Sequence, residues 1–409
     1  MVENNITTGV LSNQLKFVHQ YNQSVISHLC IMINGGSSSD EEGFEGTAHF
    51  FEHILFKGTK TKTSIELIHA IENLGAETNA YTDRDHICLH FSFQGKYLAQ
   101  ILNICEDILL NSEYDETEVD KERKVIRDEL KYYEDTAEEN IQDQAFEYFF
   151  KGNSLAHNII GTRKSLKNID AQTLKKYAKT NLVADKMVIS YCGGNDIKKV
   201  NTLFEKHFKK IPQKTLQKNT SKQEFSYHIF DKKIKRNENQ CYALLCYEAP
   251  KRNYDNRVAL RLLNNILGGS GMSALLNLKL REDNALVYQV ESQYLAYQQA
   301  GIFSIYFYCS KKNIKKAIGL CEEELLKTMQ INISKKQLDS YKLQYLSLYY
   351  MQLENRLNIC IENALGLLFY DQVKNIDFLE KELKKITAID LKNIAKEIFS
   401  KEVSKLVYI

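Results

Sequence analysis

Apolar positions in this chain follow two periods, and both recur in the same order in each half. Short runs that are apolar or alternate with a period of two lie at Val25–Asn34 and His86–Phe93, and again at Gln240–Tyr247 and Gly301–Cys309. These predict strands. Between them run longer patterns with helical spacing. Ile87 through Leu110 aligns with Phe303 through Leu326 as strand then helix, and Cys105 falls on Cys321. Upstream, EGTAHFFEHILFKG aligns with RVALRLLNNILGGS, setting Ile54-Leu55 on Ile266-Leu267. The mixture predicts an α+β fold of two similar domains, each a mostly antiparallel sheet packed with helices. Ile211 through Lys222 is polar, lacks periodicity and holds Pro212, one of only two prolines. It predicts an exposed linker. The expected division is a first domain over residues 1–211, a linker over 212–224 and a second domain over 225–409, each long enough for its own core.

Candidate chemistry concentrates in one copy. Residues 49–53 read His-Phe-Phe-Glu-His inside the apolar run Ala48–Phe56. On a helix, His49 and His53 lie one turn apart on one face and can reach one Zn²⁺. Glu52 stands beside them as a candidate base. The order H-x-x-E-H inverts H-E-x-x-H and is the inverzincin signature. Solvated His/Glu turns are common, but Phe50, Phe51, Ile54, Leu55 and Phe56 leave little of this helix for water, and buried imidazoles and carboxylates need partners. A third ligand is expected from Glu118–Leu130, where Val119, Ile126 and Leu130 set a helical period and Glu122 and Glu129 share a face. Taken alone, that acid-rich segment reads more readily as a solvated charged helix. In the aligned second copy His49, Glu52 and His53 become Arg261, Asn264 and Asn265, and Glu122 and Glu129 become Tyr341 and Leu348. The second copy is expected to hold no zinc.

AHFFEHILFKGT followed by ERKVIRDEL resembles the pitrilysin, insulin-degrading enzyme and mitochondrial processing peptidase family. The resemblance runs from Leu15 to about Ala395 and matches the single-length subunits of processing peptidases and their bacterial relatives. It implies that Glu129 is the third zinc ligand and that Glu122 supports the ligands from behind. Asn79-Ala80-Tyr81-Thr82 resembles the family's N-A-Y-T stretch, which implies that Asn79 and Ala80 pair with substrate backbone. Gly271-Met272-Ser273-Ala274-Leu275 and Arg281-Glu282 through Tyr288 resemble a G-M-S-x-L…R-E-x-x-x-L-x-Y block, which implies that Arg281 and Tyr288 reach the substrate and the tetrahedral intermediate. By the same resemblance the chain forms half of a clamshell chamber. Double-length relatives carry zinc in one half and the Arg/Tyr pair in the other. Because this chain has both sets, a homodimer with composite sites is expected.

Composition narrows the rest. Net charge is +2 with both signs interspersed, so no nucleic-acid footprint is visible. No run approaches eighteen apolar residues, so no membrane span is expected. The polar start Met1-Val2-Glu3-Asn4-Asn5 lacks leader character, and nine scattered cysteines without a C-x-x-C pair suit a reducing compartment. A cytoplasmic location is the expectation. His86 and His90 are about 13 Å apart on a strand and cannot share a metal. His19, His28, His69, His157, His207 and His228 lack metal-type neighbours in sequence. Tyr345–Tyr350 reads as a packed helix face.

The reading is a zinc endopeptidase for unfolded peptides or presequences. Zinc on His49, His53 and Glu129 would polarise the scissile carbonyl and acidify water, Glu52 would move the proton, and Tyr288 would help stabilise the oxyanion. The other class considered is a non-catalytic scaffold or partner subunit of a heterodimeric processing peptidase. The intact His49, Glu52, His53 and Glu129 set argues against it.

Overall fold

The computed structural model describes residues 6–213, 225–330 and 332–409. In chain order the elements are β1 (Ile6–Val10), β2 (Lys16–Tyr21), β3 (Ile26–Ile33), α1 (Thr47–Ile54), α2 (Ser64–Glu72), β4 (Glu77–Thr82), β5 (Ile87–Gln94), α3 (Leu98–Asn111), α4 (Glu116–Asp135), α5 (Ala137–Phe149), α6 (Ala171–Asn181), β6 (Met187–Gly193) and α7 (Ile197–Phe208). There follow β7 (Asp231–Ile234), β8 (Cys241–Ala249), α8 (Arg257–Gly268), the single turn α9 (Leu275–Asn277) continuing into a π-helical turn at Leu278–Glu282, β9 (Val287–Ala296), β10 (Gly301–Cys309), α10 (Ile314–Thr328), α11 (Lys335–Leu353), α12 (Arg356–Tyr370), α13 (Ile376–Lys385), α14 (Ala388–Phe399) and β11 (Ser404–Tyr408). The strands expected from the apolar runs form within two residues of their anticipated ends.

Two sheets result, with strand orders β1-β2-β6-β3-β5-β4 and β7-β11-β8-β10-β9. Apart from β1, the two orders are the same when β2, β3, β4, β5 and β6 are set against β7, β8, β9, β10 and β11. In each sheet one pair is parallel, β2 with β6 and β7 with β11, and the remaining pairs are antiparallel. The repeat read from the sequence is therefore a repeat of topology. In both copies one strand leads to a helix and a second edge strand: β3, α1 and β4 in the first, β8, α8 and β9 in the second.

The chain gathers into two compact units. The first holds the described residues up to Lys131, those from His157 to Gln213, and Met351–Asn375; the second holds Tyr132–Ala156, the described residues of 225–350, and Ile376–Ile409. This differs from a division at the linker, whose residues 214–224 lie outside the described residues. Each half lends one helical segment to the other unit. α5 buries Ile141, Ala145, Phe146 and Phe149 in the core of the second sheet with Leu244, Tyr306 and Leu406. α12 buries Cys360, Ala364 and Leu367 against Val18, Cys30, Met32 and Cys88 of the first. An amphipathic stripe says that a helix must be covered, but not by which sheet.

All nine cysteines are buried free thiols. No helix among the described residues is long and apolar enough to cross a membrane. Residues 345–350 lie on α11, where Leu338 alone is fully buried and Leu343 and Tyr350 are exposed.

Candidate metal centre

The helix carrying the two histidines is fixed at its start by backbone geometry. Gly46 sits at φ +92°, and a Cβ there would collide with the Ile160 carbonyl. Only glycine meets both conditions without strain. Asp40, buried and six residues upstream, caps the same turn. Its Oδ2 accepts from Gly46 N–H at 2.8 Å and its Oδ1 from Ala48 N–H at 3.0 Å. Burial raises its pKa, and the amide donors pull the other way. α1 then buries Phe50, Phe51 and Ile54 completely, leaving the His49/Glu52/His53 side for function. α4 is fastened nearby by Arg123, whose guanidinium lies 5.9 Å from the Phe50 ring centre and donates to the carbonyls of Leu166 (3.0 Å) and Ile169 (2.6 Å).

These supports bring donors of α1 and α4 together. His53 Nε2 lies 3.4 Å from Glu129 Oε2, and His49 Nε2 lies 3.8 Å from Glu129 Oε1. One ligand atom from each of the three residues falls within 4.8 Å of the others. Donors at roughly 2.0–2.1 Å from a tetrahedral ion are about 3.4 Å apart. The spacing and the N,N,O chemistry therefore fit zinc. The outer nitrogen of His53 fits as well: Nδ1 is 3.2 Å from Glu122 Oε2, the partner a ligating imidazole needs behind it. Glu122 is held in turn by Lys57 Nζ at 2.8 Å from Oε1. His49 Nδ1 is buried with no hydrogen-bond partner among the described residues.

The two imidazoles differ in charge without a metal. Burial, then the neighbouring His53, push the His49 pKa down to about 4 against the pull of Glu129. Burial also opposes charge on His53, but hydrogen bonds to Glu122 and Glu129 outweigh it and raise its pKa to about 9. Glu129 is lowered, chiefly by its hydrogen bond with His53. Glu122 is lowered too: its burial is outweighed by His53 and Lys57. Glu52 goes the other way, raised by burial even though Thr82 Oγ1 donates to its Oε2 at 2.8 Å.

Glu52 and His53 open onto a cleft of about 760 Å³ whose walls include Phe56, Ile68, Ile71 and Glu77–Ala80 of β4. β4 is the outermost strand of its sheet, so Asn79 and Ala80 lie on an edge beside the candidate centre. The Asn79 side chain accepts from Ala80 N–H at 2.8 Å. Arg281 and Tyr288 belong to the second unit. Arg281, half exposed on the π-helical turn, lies 3.6 Å from Glu282. Tyr288, 59% exposed at the start of β9, stacks on Tyr308 with ring centres 5.8 Å apart. Of the remaining histidines, His207 pairs with Glu106 at 2.8 Å, His19 with the Asn195 carbonyl at 2.9 Å and His28 with Ser92 at 2.9 Å. Among the described residues, no second His/Cys/Asp/Glu group with metal-ligand spacing occurs.

The sequence does not reveal the supporting roles of three residues. Lys57 lies in the bend just past the end of α1 at Ile54, so its reach to Glu122 has no helical spacing to announce it. Asp40 caps α1 across a six-residue loop and leaves no local signal, and Thr82, although it ends the N-A-Y-T stretch, reaches Glu52 from a strand, a contact that no spacing announces.

Among the described residues, then, a duplicated α+β unit carries one His–His–Glu cluster at metal-ligand spacing, in its first copy. Residues 16–163 match the family model described as Insulinase (Peptidase family M16), and residues 168–345 match that described as Peptidase M16 inactive domain. The chain belongs to peptidase family M16. It is 26% identical to the uncharacterized zinc protease YmxG of Bacillus subtilis, covering 95% of both chains. It is also 26% identical to the mitochondrial-processing peptidase subunit beta of Caenorhabditis elegans (90% of this chain, 82% of that one), and 25% identical to cytochrome b-c1 complex subunit 1 of the same organism (92% and 82%). A solved protease from Helicobacter pylori shares the fold with a TM-score of 0.90 at 19% identity, covering 99% of both chains. A peptidase M16 inactive domain from Pseudomonas fluorescens does so with a TM-score of 0.90 at 16% identity, covering 99% and 97%.

Proposed function

We propose that this chain is a zinc endopeptidase that hydrolyses peptide bonds of unfolded peptides. The observation that carries the reading is the convergence of His49, His53 and Glu129 at ligand spacing, with Glu52 beside them and the edge strand β4 lining the same cleft. Zinc, when bound, supplies a Lewis acid for the scissile carbonyl and makes a water more acidic. His49, His53 and Glu129 would hold it, and Glu122 would orient His53. Glu52 would take the proton of the attacking water as its oxygen joins the carbonyl carbon, and pass a proton to the amide nitrogen as the C–N bond breaks. Its burial keeps it more basic than an exposed carboxylate, which suits that task. Asn79 and Ala80 would pair with an extended substrate backbone by strand addition, a mode that demands an unfolded segment. Arg281 and Tyr288 of a second copy in a homodimer would complete the site.

The relative named as a subunit of the cytochrome b-c1 complex favours a second reading, a non-catalytic partner chain. The complete donor set weighs against it, because a scaffold has no use for one buried and one half-buried imidazole facing a carboxylate. Substitution of the base decides between them. Wild-type protein loaded with zinc should cleave a library of unstructured peptides. Glu52→Gln should keep its zinc and its peptide affinity and lose turnover by at least about 10²-fold. Hydrolysis at the wild-type rate by Glu52→Gln, or no hydrolysis of any library member by zinc-loaded wild type, would refute the proposal.

A further inference from the structure

We infer that Thr82 is a positioning residue for the general base: its hydroxyl fixes the Glu52 carboxylate so that one oxygen is held and the other is presented to the reacting water. The inference rests on the peptidase reading above. A carboxylate only accepts, so in the 2.8 Å contact Thr82 Oγ1 donates and Glu52 Oε2 receives. Such a bond to an ionised group is among the stronger kinds. Thr82 is itself rigidly placed. It pairs with Ile87 in the β4–β5 ladder, and the turn that follows is closed by Asp83 N–H to the His86 carbonyl at 2.8 Å and tied to the β3–α1 segment by Ser37 N–H to the Asp83 carbonyl at 3.1 Å. Its β-branched side chain has few rotamers, so the hydroxyl has a defined place. Glu52, by contrast, is a flexible side chain on α1, and its Oε1 has no protein donor among the described residues. One hydroxyl therefore converts a mobile carboxylate into a directed one. It does so from the strand expected to pair with the substrate, so base and peptide share a frame.

Misplacing a catalytic group by about 1 Å can cost about 10²-fold in rate. Thr82→Val keeps the shape and removes the donor. It should lower kcat by about tenfold or more, with KM and zinc content unchanged, and Thr82→Ser should restore most of the loss. In a Glu52→Gln background, Thr82→Val should cost nothing further, because residues acting through one step are not additive. A purely structural role for Thr82 would instead lower kcat by the same factor in both backgrounds, and that result would overturn the inference. So would Thr82→Val turnover within twofold of wild type. A readout in metal-free protein separates this inference from the peptidase reading. The ¹³C carboxyl signal of Glu52, assigned by its loss in Glu52→Gln, should shift in Thr82→Val and return in Thr82→Ser. An unmoved signal would overturn the inference whether or not the protein cleaves peptides.

Discussion

Replacing Glu122 by Gln tests whether the residue behind the candidate ligands sets zinc affinity. Glu122 is almost fully buried and splits its two oxygens, Oε2 to His53 Nδ1 at 3.2 Å and Oε1 to Lys57 Nζ at 2.8 Å. Glutamine has nearly the same shape but one acceptor. If its carbonyl oxygen faces His53, its NH₂ faces the Lys57 ammonium, donor against donor; if it turns over, His53 loses its acceptor. One charge-assisted hydrogen bond is lost either way, worth about 1.5–3 kcal/mol. The part of this felt at the metal corresponds to about 10- to 10²-fold in affinity, the usual effect of removing a partner from a ligating imidazole. Because His49, His53 and Glu129 remain, the site should still fill at high zinc. The assay is a competition titration of metal-free protein against a chromophoric chelator at fixed pH and ionic strength. Glu122→Gln should bind one zinc with a Kd about 10- to 10²-fold weaker than wild type. A Kd within twofold of wild type would refute the reasoning, since His53 would then need no carboxylate behind it.

Glu129→Gln should lose most of the zinc at concentrations that saturate wild type, and a full zinc load by elemental analysis would remove Glu129 from the ligand set. At pH 7 zinc binding should release about one proton, because the metal-free His53, with its pKa raised to about 9, carries one that the ion must displace. Calorimetry in two buffers of different ionisation heat reads that proton, and equal heats in both would contradict it. The same shift stabilises metal-free protein: the contribution is full below the ordinary value of 6.5 and is lost as pH rises through about 9, so the urea midpoint of zinc-free protein should fall across that window, and should do so less in Glu122→Gln. Mixing Glu52→Gln with Tyr288→Phe protein should recover activity toward half of wild type if sites are shared across a dimer; no recovery despite demonstrated subunit exchange would place zinc and tyrosine in one chain or drop Tyr288 from the mechanism.

Sequence alone was enough for four of the strands and for the two helices that carry His49, His53 and Glu129. Apolar period located β3, β5, β8 and β10 within two residues, because a strand or helix must turn its apolar face to cover and the period records that face. The internal repeat survived as a shared strand order, since equivalent apolar frames pack equivalent sheets. The three expected ligands do meet. His49 and His53 are four apart on one helix, so their proximity is local, whereas the part of Glu129 was implied by family resemblance and was not legible in an acidic helix by itself. Tertiary structure decided what depends on distant partners. α5 and α12 each pack on the sheet of the other half, because hydrophobic burial is non-directional and an amphipathic stripe does not name its cover. Asp40 caps α1 across a loop, Lys57 neutralises Glu122, and Thr82 holds Glu52 from a neighbouring strand. These are polar contacts between residues close in space and mostly far apart in sequence, where geometry rather than composition decides which donor meets which acceptor.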